Sequence, residues 1–387
     1  MEFGYSPAQI SMQMESKKFA LEEMTELSHL FEVDVFVREK LFEKMAQKGF
    51  LTLSIPEKKQ SKDTLSLMLA IKEISKVDAG IGVAMSVTNM VAEAIEIYGS
   101  DQQKEKYFPL FRNGQCVPAS FALTEKSAGS DPKHLLTTAT LDAVDDDFFW
   151  ISGEKQFITN GDISGVLIVF AKTFDKKKEG ITAFLIDRET PGLQVSKIEN
   201  KLGLLSINLV SLTFDNCRIS RGQILGDLGQ GLKVAFSSLD RGRLGVAAQA
   251  IGIAEAAYEK ALQYSQAREQ FGKPLCENQV IAFKLADMHV KLSAAKLLLC
   301  KACWLCDKGR GVTLAASEAK LYASEAANEI VTEALQVYGG YGYTKDYPLE
   351  KYFRDARVTT LYEGTSEIQR IVISRQLLNL TAQAETF

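Results

Sequence analysis

The run from Ile281 to Cys306, IAFKLADMHVKLSAAKLLLCKACWLC, decides the fold. Ile281, Leu285, Met288, Leu292, Ala295, Leu299, Ala302 and Cys306 recur four and three residues apart, so they share one apolar stripe of a long helix that stops at Gly309. A second stripe follows at Ala316, Ala319, Ala323, Ala326, Ile330, Ala334 and Val337, ending at the glycines 339 and 340. Its small residues let helices approach closely, as in the centre of a bundle.

Working outward, the period changes upstream of about Gly229. Thr137 to Leu141, Val166 to Ala171, Ile181 to Ile186, Leu193 to Ile198 and Ser211 to Phe214 are short, apolar or β-branched, and separated by turn signals such as Asp145 to Asp147. They predict a β domain between about Pro118 and Leu228. Before it, the chain reads as helices to about Arg112. Asp34 is placed to cap a helix ending near Gly49, and Ser100 with Gln103 spells a capping box. The expected fold is mainly helical α+β: an N-terminal helical domain (1–117), a middle β domain (118–228) and a C-terminal helical bundle (229–387).

The 387 residues are 46% hydrophobic, enough for a large core. Basic and acidic residues nearly balance, 45 against 49, so no footprint for nucleic acid or an anionic membrane stands out. No run approaches the roughly 18 consecutive apolar residues of a membrane span. Glu2, Glu15, Glu22 and Glu23 make a poor transit peptide, so a cytoplasmic protein is expected, or a mitochondrial matrix protein if the chain is processed. Cys300, Cys303 and Cys306 have the spacing of an iron-sulfur run but lie on the helical stripe without the fourth cysteine, and read as packing residues. His29, His134 and His289 are scattered, so no metal site is expected.

Four segments carry possible chemistry. FALTEKSAGSD (Phe121 to Asp131) is a polar, glycine-containing strand and loop, and FITNG (Phe157 to Gly161) runs into an Asn-Gly turn. DRGR (Asp240 to Arg243) and AREQFG (Ala267 to Gly272) concentrate arginines suited to phosphate, or to a solvated face. In YEGTSEIQ (Tyr362 to Gln369), Thr365 or Ser366 is a helix cap, leaving Glu363 in the loop beside a glycine, where a carboxylate can approach a ligand closely. Taken alone these read by default as a loop, a hairpin, surface ion pairs and an ordinary exposed glutamate. The glycines at 226, 229 and 231, and at 339, 340 and 342, do not fit a Rossmann dinucleotide fingerprint.

In this order the segments resemble the acyl-CoA dehydrogenases, from about Val37 to Leu378. YGSDQQK (Tyr98 to Lys104), FKLAD (Phe283 to Asp287), QVYGGYG (Gln336 to Gly342) and YFRDAR (Tyr352 to Arg357) add to the likeness. LDRGRLGVAAQ (Leu239 to Gln249) is most similar to the short-chain, butyryl-CoA type. The resemblance implies helical and β domains followed by a C-terminal four-helix bundle. It places an FAD ring against Phe121, Ala122, Leu123 and Thr124 and against Phe157, Ile158 and Thr159, with Gly129 and Ser130 close by. Arg268 and Gln279, with Gln336, Val337, Tyr338, Gly339 and Gly340, would serve the pyrophosphate and adenosine side across a subunit boundary, implying a homotetramer or homodimer. Thr365, Ser366 and Glu367 would complete the cofactor site, and Ser130, Asp240, Arg243 and Gly364 would meet the acyl-CoA thioester.

The implied chemistry suits these residue types. A proton α to a thioester is weakly acidic, so a carboxylate must stand at the α carbon while the carbonyl oxygen is hydrogen-bonded. Glu363 would be that base, with electrons passing through FAD to electron-transfer flavoprotein. Some relatives carry the base on the helix near Arg243, where this chain has Gly242. Leu205 stands where an arginine is common, Phe157 where tryptophan is frequent, and the loop after the second helix is reduced to Pro56 to Gln60. Competing readings are oxidase or monooxygenase chemistry on the same fold and a DNA-protecting relative, the latter opposed by the acidic balance.

Overall fold

The computed structural model describes residues 4–28, 34–55, 62–115, 117–175 and 178–378; Pro56 to Gln60 and His29 lie outside them. Five helices open the chain: α1 (Pro7–Phe19), α2 (Val35–Gln47), α3 (Thr64–Val77), α4 (Ala79–Tyr98) and α5 (Asp101–Arg112). Side chains close their exposed N-termini as the sequence implies. Asp34 accepts from the N–H groups of Phe36 and Val37, and Ser100 and Gln103 form the reciprocal box. Among the described helices, α4 alone is long and apolar enough to cross a membrane, and 78% of its most apolar window is buried inside the protein.

The β domain holds β1 (Ala119–Ala122), β2 (Thr138–Leu141), β3 (Phe148–Thr159), β4 (Val166–Asp175), β5 (Lys178–Asp187), β6 (Leu193–Ile198), β7 (Leu209–Ser220) and β8 (Ile224–Leu225). The sheet runs β6-β7-β3-β2-β4-β5-β8, with β1 and β2 sharing one edge of β4, both parallel to it. The unbroken apolar run of β4 has a physical cause: both its faces are buried. Val166, Ile168 and Phe170 pack toward helical residues such as Val91, Ile95 and Phe111, while Leu167, Val169 and Ala171 face the interior of the β domain. The strand read at Phe121 is β1; sequence reading missed β3 and β8 and shortened β4, β5 and β7, and the polar residues interleaved in β3 and β7 mask the period of those two.

The C-terminal part comprises α6 (Gly231–Ala267), the hairpin β9 (Glu269–Gln270) and β10 (Lys273–Pro274), then α7 (Gln279–Asp307), α8 (Thr313–Tyr338), α9 (Leu349–Arg357) and α10 (Ser366–Leu377). Both sequence stripes are core. Leu285, Met288, Leu292, Ala295, Leu299 and Ala302 on α7, with Ile281 partly buried against them, and the whole Ala316 to Val337 stripe on α8 are packed with the alanines of α6 in one cluster that also takes in α3; Cys306, at the end of the α7 stripe, is buried too. Cys303 and Cys306 are free thiols in that packing, and the described residues hold no group of three metal-ligating side chains.

One buried junction ties the three parts together. Lys351 on α9 pairs with Asp355 at 2.6 Å and with Asp78, the cap of α4, at 3.3 Å. Asp355 accepts from the N–H of Leu204 and Asp78 from the Ser206 hydroxyl, both in the loop before β7. Burial alone would lower the Lys351 ammonium, but the two carboxylates push it above its ordinary range. Removing one partner of such a set costs about 3–5 kcal/mol, so the junction fixes the β domain against the helices.

Candidate active site

The loop Tyr362 to Gly364 leads into α10, whose N-cap is Thr365, accepting from the N–H of Ile368. Glu363 has φ 51° and Gly364 φ 86°, so the chain makes a left-handed corner there. A non-glycine residue held in that region costs about 1–3 kcal/mol and persists only where its surroundings over-determine it. They do. Gln369, fully buried, donates to the carbonyls of Glu363 at 3.0 Å and Gly364 at 2.9 Å. Lys320 of α8, also fully buried, donates to the Gly364 carbonyl at 2.7 Å. Tyr362 donates to Gln249, whose amide donates to the carbonyl of Ala79.

The corner throws the Glu363 side chain onto α6. A Cβ placed on Gly242 would stand 2.8 Å from the Glu363 carboxyl carbon, so any side chain there would have to displace the carboxylate. Although the residue keeps some exposed surface, its Oε2 is sealed from solvent and has no hydrogen-bond partner among the described residues. Burial pushes the Glu363 carboxyl up to about 7, with Arg243 and Lys320 restraining the rise. Burial in turn draws Lys320 down to about 8, against the pull of Glu363. Arg243 is buried and is held by Asp240 at 2.6 Å and by the Ser317 hydroxyl; Asp240 accepts from Thr313. Two cations thus face a carboxylate poised to ionise near neutrality. The backbone N–H of Glu363 has no acceptor among the described residues.

A second region joins the first two sequence segments. The N–H of Gln156 donates to the Thr124 carbonyl, and the Ser120 hydroxyl to the Thr159 carbonyl, so Phe121 to Thr124 and Phe157 to Thr159 lie side by side. Phe157 has φ 60° and is half exposed. Ala122, Leu123 and Ile158 are buried in the core, so they offer backbone to a ligand, whereas Phe121, Thr124 and Thr159 remain partly open. Gly129 and Ser130 lie in the exposed loop beyond. A buried pair unread in the sequence braces this wall: Lys155 donates to Glu125 at 2.7 Å and to the Leu123 carbonyl.

The third region is an open pocket of about 500 Å³ where α6 and α8 end, lined by Arg268, Val337, Tyr338, Gly339, Gly340 and Tyr341 among others. A Cβ on Gly339 or Gly340 would meet nothing within 4 Å, so the backbone there is free to be approached. Gln279 opens α7 and Gln336 sits in the last turn of α8, both exposed; Ser366 is buried and Glu367 exposed on the first turn of α10. Gly242 and Arg268 are separated along α6 by about 39 Å, at 1.5 Å per residue. The structure therefore brings Asp240, Arg243, Glu363 and Gly364 together, and Arg268 with Val337 to Gly340, but sets the two groups far apart. Sequence reading missed Lys320 and Gln249 as partners of the loop, and the bracing roles of Tyr362 and Gln369 within the octapeptide it singled out; a lysine inside an alanine stripe is the signal that could have found the first.

Family models for the N-terminal, middle and C-terminal domains of acyl-CoA dehydrogenases match residues 6–115, 120–217 and 229–378. An acyl-CoA dehydrogenase of Bacillus subtilis (strain 168) is 42% identical over 377 residues, covering 96% of this chain and 98% of its own. An acryloyl-CoA reductase (NADH) of Anaerotignum propionicum is 38% identical, covering 98% of this chain and 96% of its own. The solved butyryl-CoA dehydrogenase of Megasphaera elsdenii superposes with a TM-score of 0.92 at 38% identity, covering 98% of this chain and all of that one.

Proposed function

Since the chain belongs to the acyl-CoA dehydrogenase family, FAD-dependent oxidoreductases acting on CH–CH bonds, we propose that it desaturates a short acyl-CoA thioester between the α and β carbons, with Glu363 as the base. The observation that carries this reading is the Glu363 carboxylate: sealed, unpartnered, poised near pH 7, and aimed at the space over Gly242. A base matched to the working pH is what proton abstraction from carbon requires. The free N–H of Glu363 would donate to the thioester carbonyl as charge develops on it, and the left-handed corner presents carboxylate and N–H from one residue. Arg243 and Lys320 keep a fraction of the carboxylate ionised despite its burial.

FAD, when bound, supplies the acceptor for the β hydrogen. The residues present fit it. The adjoining backbones of Phe121 to Thr124 and Phe157 to Thr159 would hold the ring, with the hydroxyls of Thr124 and Thr159 as polar partners. Ser130 would meet the thioester, and Thr365 to Glu367 the cofactor. Arg268, Gln279 and Gln336 to Gly340 would hold the pyrophosphate and adenosine of a second subunit's FAD, since about 39 Å of helix separates them from Gly242. An oligomer, tetramer or dimer, follows from that division. Phe283, Val290, Leu297 and Trp304 recur every seventh residue on α7 and are all about half exposed or more, an apolar seam suited to a second bundle. Domain limits at 117/118 and 228/229, a cytoplasmic or processed matrix location, and electron-transfer flavoprotein as acceptor complete the reading.

Anaerobic mixing with butanoyl-CoA should bleach the flavin, and air should restore it slowly; fast reoxidation would instead mark an oxidase. The similarity to an acryloyl-CoA reductase supports a second reading, in which the same residues run toward reduction of a 2-enoyl thioester. Failure of butanoyl-CoA to bleach the flavin, together with NADH-dependent reduction of acryloyl-CoA, would establish that direction.

A further inference from the structure

Across Met90 from the base site lies a small internal chamber. Met90 of α4, whose sulfur lies 3.1 Å from the point where a Cβ on Gly242 would stand, also lines a cavity with Met68, Ile71, Ser86 and Leu244. The cavity holds about 10 Å³, space for about one water molecule. Its deep wall is charged. Arg241 pairs with Glu93, Nε to carboxylate oxygen 3.1 Å, and Glu93 is 5% exposed. Lys62 pairs with the same carboxylate, and the guanidinium rests against the Cys306 sulfur. Cys306 in turn contacts the Thr64 hydroxyl at 3.0 Å, and the Thr64 N–H donates to Asp307 at 3.0 Å. The pair is thus anchored from α3, α4, α6 and α7.

Glu93 follows Met90 by three residues on α4, about 4.5 Å deeper along the helix. A chain whose α carbon stands at Glu363 meets Met90 first and the ion pair next. We propose that the Arg241–Glu93 pair is the floor of the acyl pocket and sets an upper limit on chain length; this rests on the reading of Glu363 as the base. An apolar floor of flexible side chains yields by changing rotamer. An ion pair with a buried carboxylate and a half-buried guanidinium tied to four helices does not, because a hydrocarbon pushed against it must separate the charges or strip them of partners.

The test is the ratio of kcat/KM for octanoyl-CoA to that for butanoyl-CoA, measured on the FAD-loaded enzyme with an artificial acceptor. In Arg241→Ala/Glu93→Ala, which removes both charges together, the ratio should rise at least about tenfold, the order of effect of added methylenes in a newly opened apolar pocket. Should the alanine pair fail to retain FAD, Arg241→Met/Glu93→Gln preserves volume while removing the charges, and should move the ratio the same way by less. An unchanged ratio in a flavin-loaded variant overturns the floor. So would a wild-type preference for an acyl chain ending in a carboxylate that the variants lose, because the pair would then be a ligand for the tail. Failure of the parent reading looks different: no acyl-CoA of any length would reduce the wild-type flavin, and both readings would fall.

Discussion

The loop at Glu363, against the interior of α6, and the pocket at Arg268, at its C-terminal end, are built on opposite principles. At Glu363 the backbone is held by buried groups of the same chain, the carboxylate oxygen is sealed, and its pKa rises to about 7 as a result. At Arg268 the arginine, Gly339, Gly340 and Tyr341 stand open over buried Val337 and Tyr338, and the neighbouring Phe271 is 95% exposed with φ 57°. A reacting group must be complete and dry before substrate arrives, whereas a site for the far end of a cofactor can be left for another subunit to finish.

The largest expected effect breaks the first half of that comparison. Glu363→Gln keeps the volume and the backbone donor, so FAD content and acyl-CoA binding should survive. Flavin reduction in stopped flow should slow by on the order of a hundredfold to ten-thousandfold. Reduction at near wild-type rate would dismiss Glu363 as the base. The companion variant Gly242→Glu/Glu363→Gly moves a carboxylate to the facing position and should recover part of the rate, whereas Gly242→Glu alone should hinder binding, since its side chain would collide with Glu363.

The other half is tested by Arg268→Ala. A charge-assisted hydrogen bond contributes about 1.5–3 kcal/mol, so FAD should bind roughly ten- to a hundredfold more weakly. Sedimentation should show a smaller assembly as cofactor is lost. Flavin that remains bound should still be reduced at the wild-type rate, because the arginine lies about 39 Å from the base along α6. Unchanged FAD affinity and unchanged assembly size would count against a site shared between subunits.

Legibility followed the same divide between periodic and local features. The stripes of α7 and α8 were readable because burial on one helical face imposes a repeat, and Val166 to Ala171 because burial on both faces removes one. The long β3 was not, and of β7 only Ser211 to Phe214 was, since polar residues interrupt both strands. Glu363 stood out as a loop carboxylate next to glycine, with Gln369 in the same octapeptide, but Lys320 and Gln249 reach the loop from distant turns of other helices. No spacing in the sequence encodes those approaches; Lys155 with Glu125 and Lys351 with Asp78 are hidden for the same reason.

The smallest effect, and the most discriminating, concerns Lys320. Lys320→Met removes a cation that restrains the Glu363 carboxyl, so the carboxyl should titrate higher than about 7. The base works as the carboxylate, so kcat/KM in the wild type should climb with pH through about 7, and in the variant should climb later. At pH 7 the loss should be less than about tenfold, and it should shrink toward pH 9. Gln369 still holds the Glu363 and Gly364 carbonyls in the variant. If Lys320 acted only by bracing the loop, the loss would be the same at every pH. Stability gives an independent reading with its own sign. Because the folded-state pKa of Glu363 lies above its unfolded value, its contribution is fully present below about 4.5 and is lost as pH rises through about 7. Thermal melts of the wild type should therefore lose ground to Glu363→Gln between pH 5 and pH 8, and parallel curves over that range would show that the carboxyl titrates normally.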